Sequence, residues 1–266
     1  MPQVRELGLS WDAWRDAAEP AAPVDAVDPE DGLVILYTSG TTGNPKGVMY
    51  SHRSTYMHSL LVTSTANIAL SETDRMLVIV PMFHANAWGT PYAEWMIGAD
   101  LVFPQQYLQA GPIARIITET KPTLTGAVPT VLNDVLNNAA TTDMSSLRLV
   151  MCGGSAVPRA LIEGYRNTFN LPLVQGWGMT ETSPAGTMLD ASDAIRKVGS
   201  AGKAMMHTEI RVVDDSGKDV PQGGIGETPH QADAGPAIDQ GMAAPGDQPA
   251  QGLGDLAVRS EEHTSE

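Results

Sequence analysis

The sequence predicts an α/β fold with largely parallel strand pairing, and three observations predict it. Between Leu33 and about Asp214, short apolar runs rich in β-formers alternate with longer segments of helical character. The hydrophobic share, 42%, is that of a chain that buries a core. Glycine- and hydroxyl-rich segments stand where apolar runs end, which is the edge at which α/β sheets bind ligands.

The elements follow in order. Residues 10–19 read as a short helix, with Trp11 and Trp14 three apart on one face. Residues 20–32, rich in Ala, Pro and Asp, read as a linker, so 1–32 form an N-terminal helix and linker. Strands are predicted over 33–37, 76–80, 100–103, 123–128, 147–151, 173–175 and 209–213, and helices over 54–66, 112–120, 130–139 and 158–169. Pro129 and Pro158 fall at helix starts, where a missing N–H costs little. Beyond Gly226 the composition turns to Ala, Gly, Pro, Gln and Asp without period, so a tail over 228–266 is expected to be unordered. Its last eight residues, 259–266, match the translation of a sequencing adapter, and the tail is expected to be non-homologous, arising from a frameshift or chimeric join with adapter read-through, with a genuine acidic tail as the alternative.

Charge and cysteine content narrow the function. A net charge of -15 argues against a nucleic-acid partner. Nearly half of it is local, because the stretch from Glu227 onward holds eight acids and one base. An anionic substrate must then be held by local donors rather than by an overall field. The single cysteine, Cys152, excludes an internal disulfide. No apolar run reaches transmembrane length and Met1–Glu6 lacks a signal-peptide core, so a cytoplasmic location is expected. Oligomeric state is not legible.

Four segments carry chemistry. The first, Tyr37-Thr38-Ser39-Gly40-Thr41-Thr42-Gly43-Asn44-Pro45-Lys46-Gly47, follows an apolar run and combines three glycines, four Ser/Thr hydroxyls and one lysine. Such a loop can gather N–H groups, hydroxyls and a cation around a polyphosphate, although its composition also suits a plain surface loop. It is not a Walker A loop, because Lys46 follows Pro45 and precedes Gly47. The second, Pro81-Met82-Phe83-His84-Ala85-Asn86-Ala87-Trp88, places His84 just past a strand. The third, Cys152-Gly153-Gly154-Ser155-Ala156-Val157-Pro158, joins a strand to a helix through two glycines, which suits a tight turn or the close approach of a ligand. The fourth, Gln175-Gly176-Trp177-Gly178-Met179-Thr180-Glu181-Thr182, offers an aromatic face, a hydroxyl and a hard carboxylate oxygen. By composition alone Glu181 equally suits a solvated helix start. His52, Arg53 and His58 are assigned to a helix face without a role.

Taken together and in this order, the four segments resemble the signatures of the adenylate-forming, AMP-binding superfamily, over roughly residues 33–227. The Phe-His-Ala-Asn-Ala-Trp wording is especially similar to medium- and long-chain fatty acyl-CoA synthetases. The resemblance implies part of that superfamily's large N-terminal domain. It implies ATP, Mg2+ and coenzyme A, with a fatty acid as substrate. It places Thr38, Ser39, Gly40, Thr41, Thr42, Gly43 and Lys46 around the phosphates. Gly153, Gly154, Gln175, Gly176, Trp177 and Thr180 are placed around the nucleotide, with the aromatic on adenine and the threonine on the α-phosphate. Thr38 and Glu181 are implied as magnesium contacts, and Lys46, His84, Thr180 and Glu181 as the catalytic set. His84, Gly154 and Trp88 line the acyl pocket, where Trp88 either gates a tunnel or simply packs the core. The pattern's ribose-holding aspartate and its later catalytic lysine have no counterpart here, since no lysine follows Lys218. The chain is therefore expected to be an incomplete and inactive piece. A non-catalytic nucleotide-binding module, or an enzyme activating aryl or amino acids, stays open as an alternative.

Overall fold

The computed structural model describes residue 17 and residues 26–38, 45–197, 199–206, 208–214, 216–221, 228–232 and 257–258. The predicted helix at 10–19 thus lies outside the described residues, apart from Ala17.

The chain enters as an antiparallel ribbon, β1 (Gly32–Thr38) and β2 (Lys46–Ser51), which pairs only with itself. Helix α1 (His52–Thr63) follows at once. Its start is fixed by a capping box in which the Ser51 hydroxyl accepts from the Ser54 N–H and the Ser51 N–H donates to Ser54 Oγ, both at 3.1 Å. Next come β3 (Arg75–Val78), a single helical turn at Ala85–Trp88, α2 (Thr90–Ile97) and β4 (Asp100–Val102). Three strand–helix alternations follow: α3 (Ala110–Thr120), β5 (Leu124–Ala127), α4 (Pro129–Asn138), β6 (Leu149–Cys152), α5 (Arg159–Phe169) and β7 (Leu173–Gly178). A 3-10 turn at Thr180–Thr182 leads to β8 (Ala185–Leu189), α6 (Ala191–Ala194) and β9 (Lys203–Ala204).

Strands β3 to β9 form one seven-stranded sheet in the order β4-β3-β5-β6-β7-β8-β9. It is parallel from β4 through β7 and antiparallel at β8 and β9. The period of two along each strand sorts its side chains into two cores. Leu77, Ile79, Ala127, Val150, Cys152 and Leu173 meet α3, α4 and α5 on one face. Met76, Val78, Leu124, Met151 and Val174 meet Val62 of α1 and Ala93 of α2 on the other. This three-layer arrangement is the predicted α/β architecture.

The strand order reverses at β3, so β3 and β5 flank a topological switch point and their carboxyl ends open a crevice. At the opposite ends Arg148 ties the layers together. It donates to the Ile68 carbonyl at 2.9 Å, to the Ala69 carbonyl at 3.0 Å and to both oxygens of buried Asp74. Burial works to raise the Asp74 pKa, but bonds from Arg148, Thr123 and Ser71 outweigh it and hold the carboxyl well below the usual range.

Several expectations are corrected. Strand β2, helix α2 and strand β8 were not anticipated, and β7 runs on through Gly178 rather than stopping at Gln175. The predicted strand at 209–213 is β10 (Thr208–Ile210), with Val213 forming only an isolated bridge to Asp219. Within 228–266 the described residues are Thr228–Ala232, which form β11 along β10, and Ala257–Val258, which form β12 along β11.

Candidate active site

The carboxyl ends of β3, β6 and β7 deliver three of the four predicted segments to one cavity of about 210 Å³. From the β3 side come His84, Ala85 and Trp88, from β6 Gly153 and Gly154, and from β7 Gly176, Trp177 and Thr180. The remaining wall is mostly apolar, with Val62, Ile68, Met151, Met188 and Met205 beside the polar His58, Asn67 and Thr90. Thr38, Lys46, Gln175 and Glu181 do not line it. Ser39, Gly40, Thr41, Thr42 and Gly43 lie outside the described residues.

Each segment has a local cause. His84 is exposed at the mouth, on the residue that precedes the Ala85–Trp88 turn. Gly153 is glycine because β6 and β7 converge there: an added Cβ would stand 2.8 Å from the Gly176 carbonyl oxygen. Gly154 holds φ +81°, left-handed backbone that a side chain disfavours. At Gly176 an added Cβ would meet nothing closer than 3.9 Å, so this face of β7 is open to a flat ligand. The Trp177 ring packs over Gly186 of β8, where a Cβ would lie 2.7 Å from it, which fixes the plane of the indole. Thr182 secures the following turn by accepting from the Met179 N–H at 3.0 Å and donating to the Pro184 carbonyl at 2.8 Å. Gln175 is enclosed in the sheet, in register between Cys152 and Leu189. Cys152 is a buried residue of the cavity lining, and burial pushes its thiol up to about 12, which leaves an inert thiol.

Two residues assigned no role stand out. Tyr50 of β2 donates its hydroxyl to the Thr180 carbonyl at 2.6 Å, joining the ribbon to the β7 turn. Burial pushes the Tyr50 pKa above its ordinary range, and the charge of Glu181 pushes it further, so the phenol stays protonated. His58 does stand on a helix face, that of α1, and the face is buried. It is buried in the cavity wall, with Nε2 2.9 Å from the Trp88 carbonyl oxygen. Spacing gave no sign of either contact, because each joins elements far apart in the chain.

The residues present suit a magnesium-bound nucleotide. Glu181 is half-buried and makes no ion pair among the described residues, so its hard oxygens are available. Thr38 and Lys46 face each other as cross-strand partners at the open end of the ribbon, flanking the loop at 39–44. Lys46 is exposed and likewise free of an ion pair among the described residues. No helix among the described residues is long and apolar enough to cross a membrane.

Comparison with known proteins agrees with this geometry. A family profile described as AMP-binding enzyme matches residues 3–228. A medium-chain-fatty-acid–CoA ligase of Ectopseudomonas oleovorans is 37% identical over 209 residues, covering 74% of this chain and 38% of the relative. The inhibitor-bound N-terminal domain of FACL13 from Mycobacterium tuberculosis superimposes with a TM-score of 0.75 at 36% identity, over 84% of this chain and 55% of that one. An anthranilate CoA ligase in complex with anthranoyl-AMP superimposes with a TM-score of 0.76 at 28% identity, over 85% and 44% of the two chains. The chain thus spans about two fifths of the length of the curated relative.

Proposed function

Because this chain belongs to the AMP-binding enzyme family, we propose that it forms the acyl- and nucleotide-binding part of an AMP-forming fatty acyl-CoA synthetase. One observation carries the reading: a single cavity joins an apolar wall bearing His84 and Trp88 to the glycine- and hydroxyl-bearing edge at Gly153–Gly154 and Gly176–Thr180. A fatty chain suits the Val, Ile and Met wall, and a purine suits the open strand face beside Trp177. Relatives named for fatty and for aromatic acids both exist, and among the described residues the wall holds no Lys, Arg, Asp or Glu, which favours the fatty acid over an amino acid.

In the proposed reaction an oxygen of the fatty carboxylate attacks the α-phosphorus of ATP. The bond from that phosphorus to the bridging oxygen breaks, and pyrophosphate leaves with the electron pair. The coenzyme A thiol then gives up its proton, attacks the acyl carbonyl and expels AMP. Two anions must meet in the first step, so alignment and charge neutralisation dominate the barrier. Magnesium held by Glu181 and Thr38 would supply part of that neutralisation. Lys46 and the loop N–H groups would hold the β- and γ-phosphates, Thr180 the α-phosphate and Trp177 the adenine. His84 at the mouth would orient the carboxylate. We place binding, and not turnover, in these 266 residues.

Titration of this chain with octanoyl sulfamoyl adenosine, an uncleavable mimic of the acyl adenylate, tests the reading. We expect saturable binding that AMP competes, weakened at least tenfold by Trp177→Ala. A folded chain that binds neither the mimic nor AMP would sink the proposal.

A further inference from the structure

Ala85, Asn86, Ala87, Trp88 and Gly89 run consecutively at φ of 46, 51, 55, 59 and 70°. Left-handed backbone costs roughly 1–2 kcal/mol per non-glycine residue and is normally visited by single residues. Only Asn86 and Gly89 are of types that tolerate it. Four non-glycine residues in a row persist when the surroundings over-determine them. Most restraints here are local. The Gly89 N–H donates to the carbonyls of Ala85 and Asn86 at 3.1 and 3.0 Å, Thr90 Oγ1 to the Ala87 carbonyl at 3.2 Å, and Asn86 Nδ2 to the Tyr92 hydroxyl at 2.7 Å.

One restraint reaches the turn from far along the chain. His58, on α1, places Nε2 2.9 Å from the Trp88 carbonyl oxygen. A carbonyl only accepts, so Nε2 carries the hydrogen and Nδ1 is bare. His58 is 8% exposed, and Nδ1 has no partner among the described residues. Burial pushes the imidazole down to about 4 against the bond to Trp88, so the neutral donor form holds across the neutral range. The ring also fills the space beside Gly89, where an added Cβ would stand 2.5 Å from Cδ2. The far end of the Trp88 indole lies across the cavity floor, 3.3 Å from a Cβ added to Gly126 and 3.6 Å from one added to Gly153.

We infer that His58 is a positioning residue that locks the left-handed turn through the Trp88 carbonyl, and so sets how far the indole closes the acyl end of the cavity and which chain lengths enter. The lock follows from the hydrogen bond and the backbone; the chain-length consequence rests on the acyl reading above.

The test compares His58→Phe, which keeps a ring and loses the donor, with His58→Gln, which offers an amide donor. The chain has five tryptophans, so a Trp88→Phe difference spectrum isolates the emission of Trp88. In His58→Phe we expect that emission to shift to the red and its acrylamide quenching constant to at least double. The ratio of octanoyl to palmitoyl sulfamoyl adenosine affinities should change at least threefold, while AMP affinity stays within twofold. His58→Gln should restore both readouts, which a merely structural loss would not do. A folded His58→Phe with the parent's emission and affinity ratio overturns the inference. If the parent chain binds neither acyl probe, the acyl reading fails, and the emission comparison alone decides the lock. Should His58→Phe not fold, Gly89→Ala presses the same contact from the other side and must move the Trp88 emission, or the lock is refuted.

Discussion

The two regions that face the proposed ligand are built differently. The carboxyl edge of the seven-stranded sheet rests on two buried clusters, one on each face. The β1–β2 ribbon has no second layer of its own. It buries Leu36 and Tyr50 but leaves Leu33, Ile35 and Tyr37 at 37, 49 and 70% exposure. The proposed acyl and adenine walls therefore inherit their geometry from the core. Thr38 and Lys46, proposed to serve the phosphates, stand on a hairpin held by a few side chains. Changes at the sheet edge should act through stability, and changes in the ribbon through nucleotide affinity.

The largest expected effect probes the sheet edge. At Gly178 an added Cβ would fall 1.9 Å from the Pro184 carbonyl oxygen, and both groups are backbone. Neither can give way without separating β7 from the turn that carries Thr180 and Glu181. Gly178→Ala should cost about 4 kcal/mol or more, beyond ordinary overpacking. Denaturant unfolding measures it. A loss under about 1 kcal/mol would show that this edge adapts, and the contrast between the two regions would collapse.

A second change sharpens the contrast from within the support layer. Glu94 of α2 is fully buried, and neither carboxyl oxygen has a partner among the described residues. Burial, with the charge of Asp74 adding, pushes it from 4.5 up to about 8. Between those two values the folded chain keeps a proton that the unfolded chain has lost. This group's contribution to stability therefore falls as pH rises through that window, and levels off above it. One pKa unit is about 1.4 kcal/mol, so the loss by pH 8 is on the order of 3 kcal/mol or more. Glu94→Gln should remove that slope and be the more stable protein at pH 8. Parallel stability–pH curves for the two proteins from pH 5 to 8 would refute the assignment.

How much of this was legible follows the same division. The parallel strands announced themselves as apolar runs, because strands buried on both faces need no polar alternation. Helix α2 hid in a short, mostly apolar stretch that also holds Thr90 and Glu94. Its signals were Pro91 in the first turn and Gly98 just past the end, and they went unread. Strand β2 starts on the last two residues of the glycine- and hydroxyl-rich segment, Lys46 and Gly47, and runs on to Ser51, and β8, Ala-Gly-Thr-Met-Leu, has little β propensity. Of the site, His84, Gly154 and Trp177 could be read because their neighbours in sequence are their neighbours in space. The left-handed turn could not. In Ala-Asn-Ala-Trp only Asn86 tolerates it locally, and His58, which bonds the Trp88 carbonyl, is thirty residues away.

The smallest expected effect isolates the joint between the regions. Tyr50→Phe removes only the hydroxyl that donates to the Thr180 carbonyl at 2.6 Å, and keeps the buried ring. The protein should lose about 1 kcal/mol of stability, the net worth of one hydrogen bond together with a carbonyl left unpaired. Its effect on binding should be selective. The ribbon carries Thr38 and Lys46, while the acyl wall depends on α1, β3 and β6. ATP affinity should therefore fall about threefold to tenfold, which is about 1 kcal/mol of lost alignment, and octanoate affinity should not move. Calorimetric titration with each ligand separates the two. If both affinities fell together, the ribbon and the sheet edge would be one mechanical unit, and their difference in construction would have no consequence for binding. If neither fell, the phosphate segment would reach its ligand without help from Tyr50, and the ribbon's docking would have to be sought in the contacts of Leu36 instead.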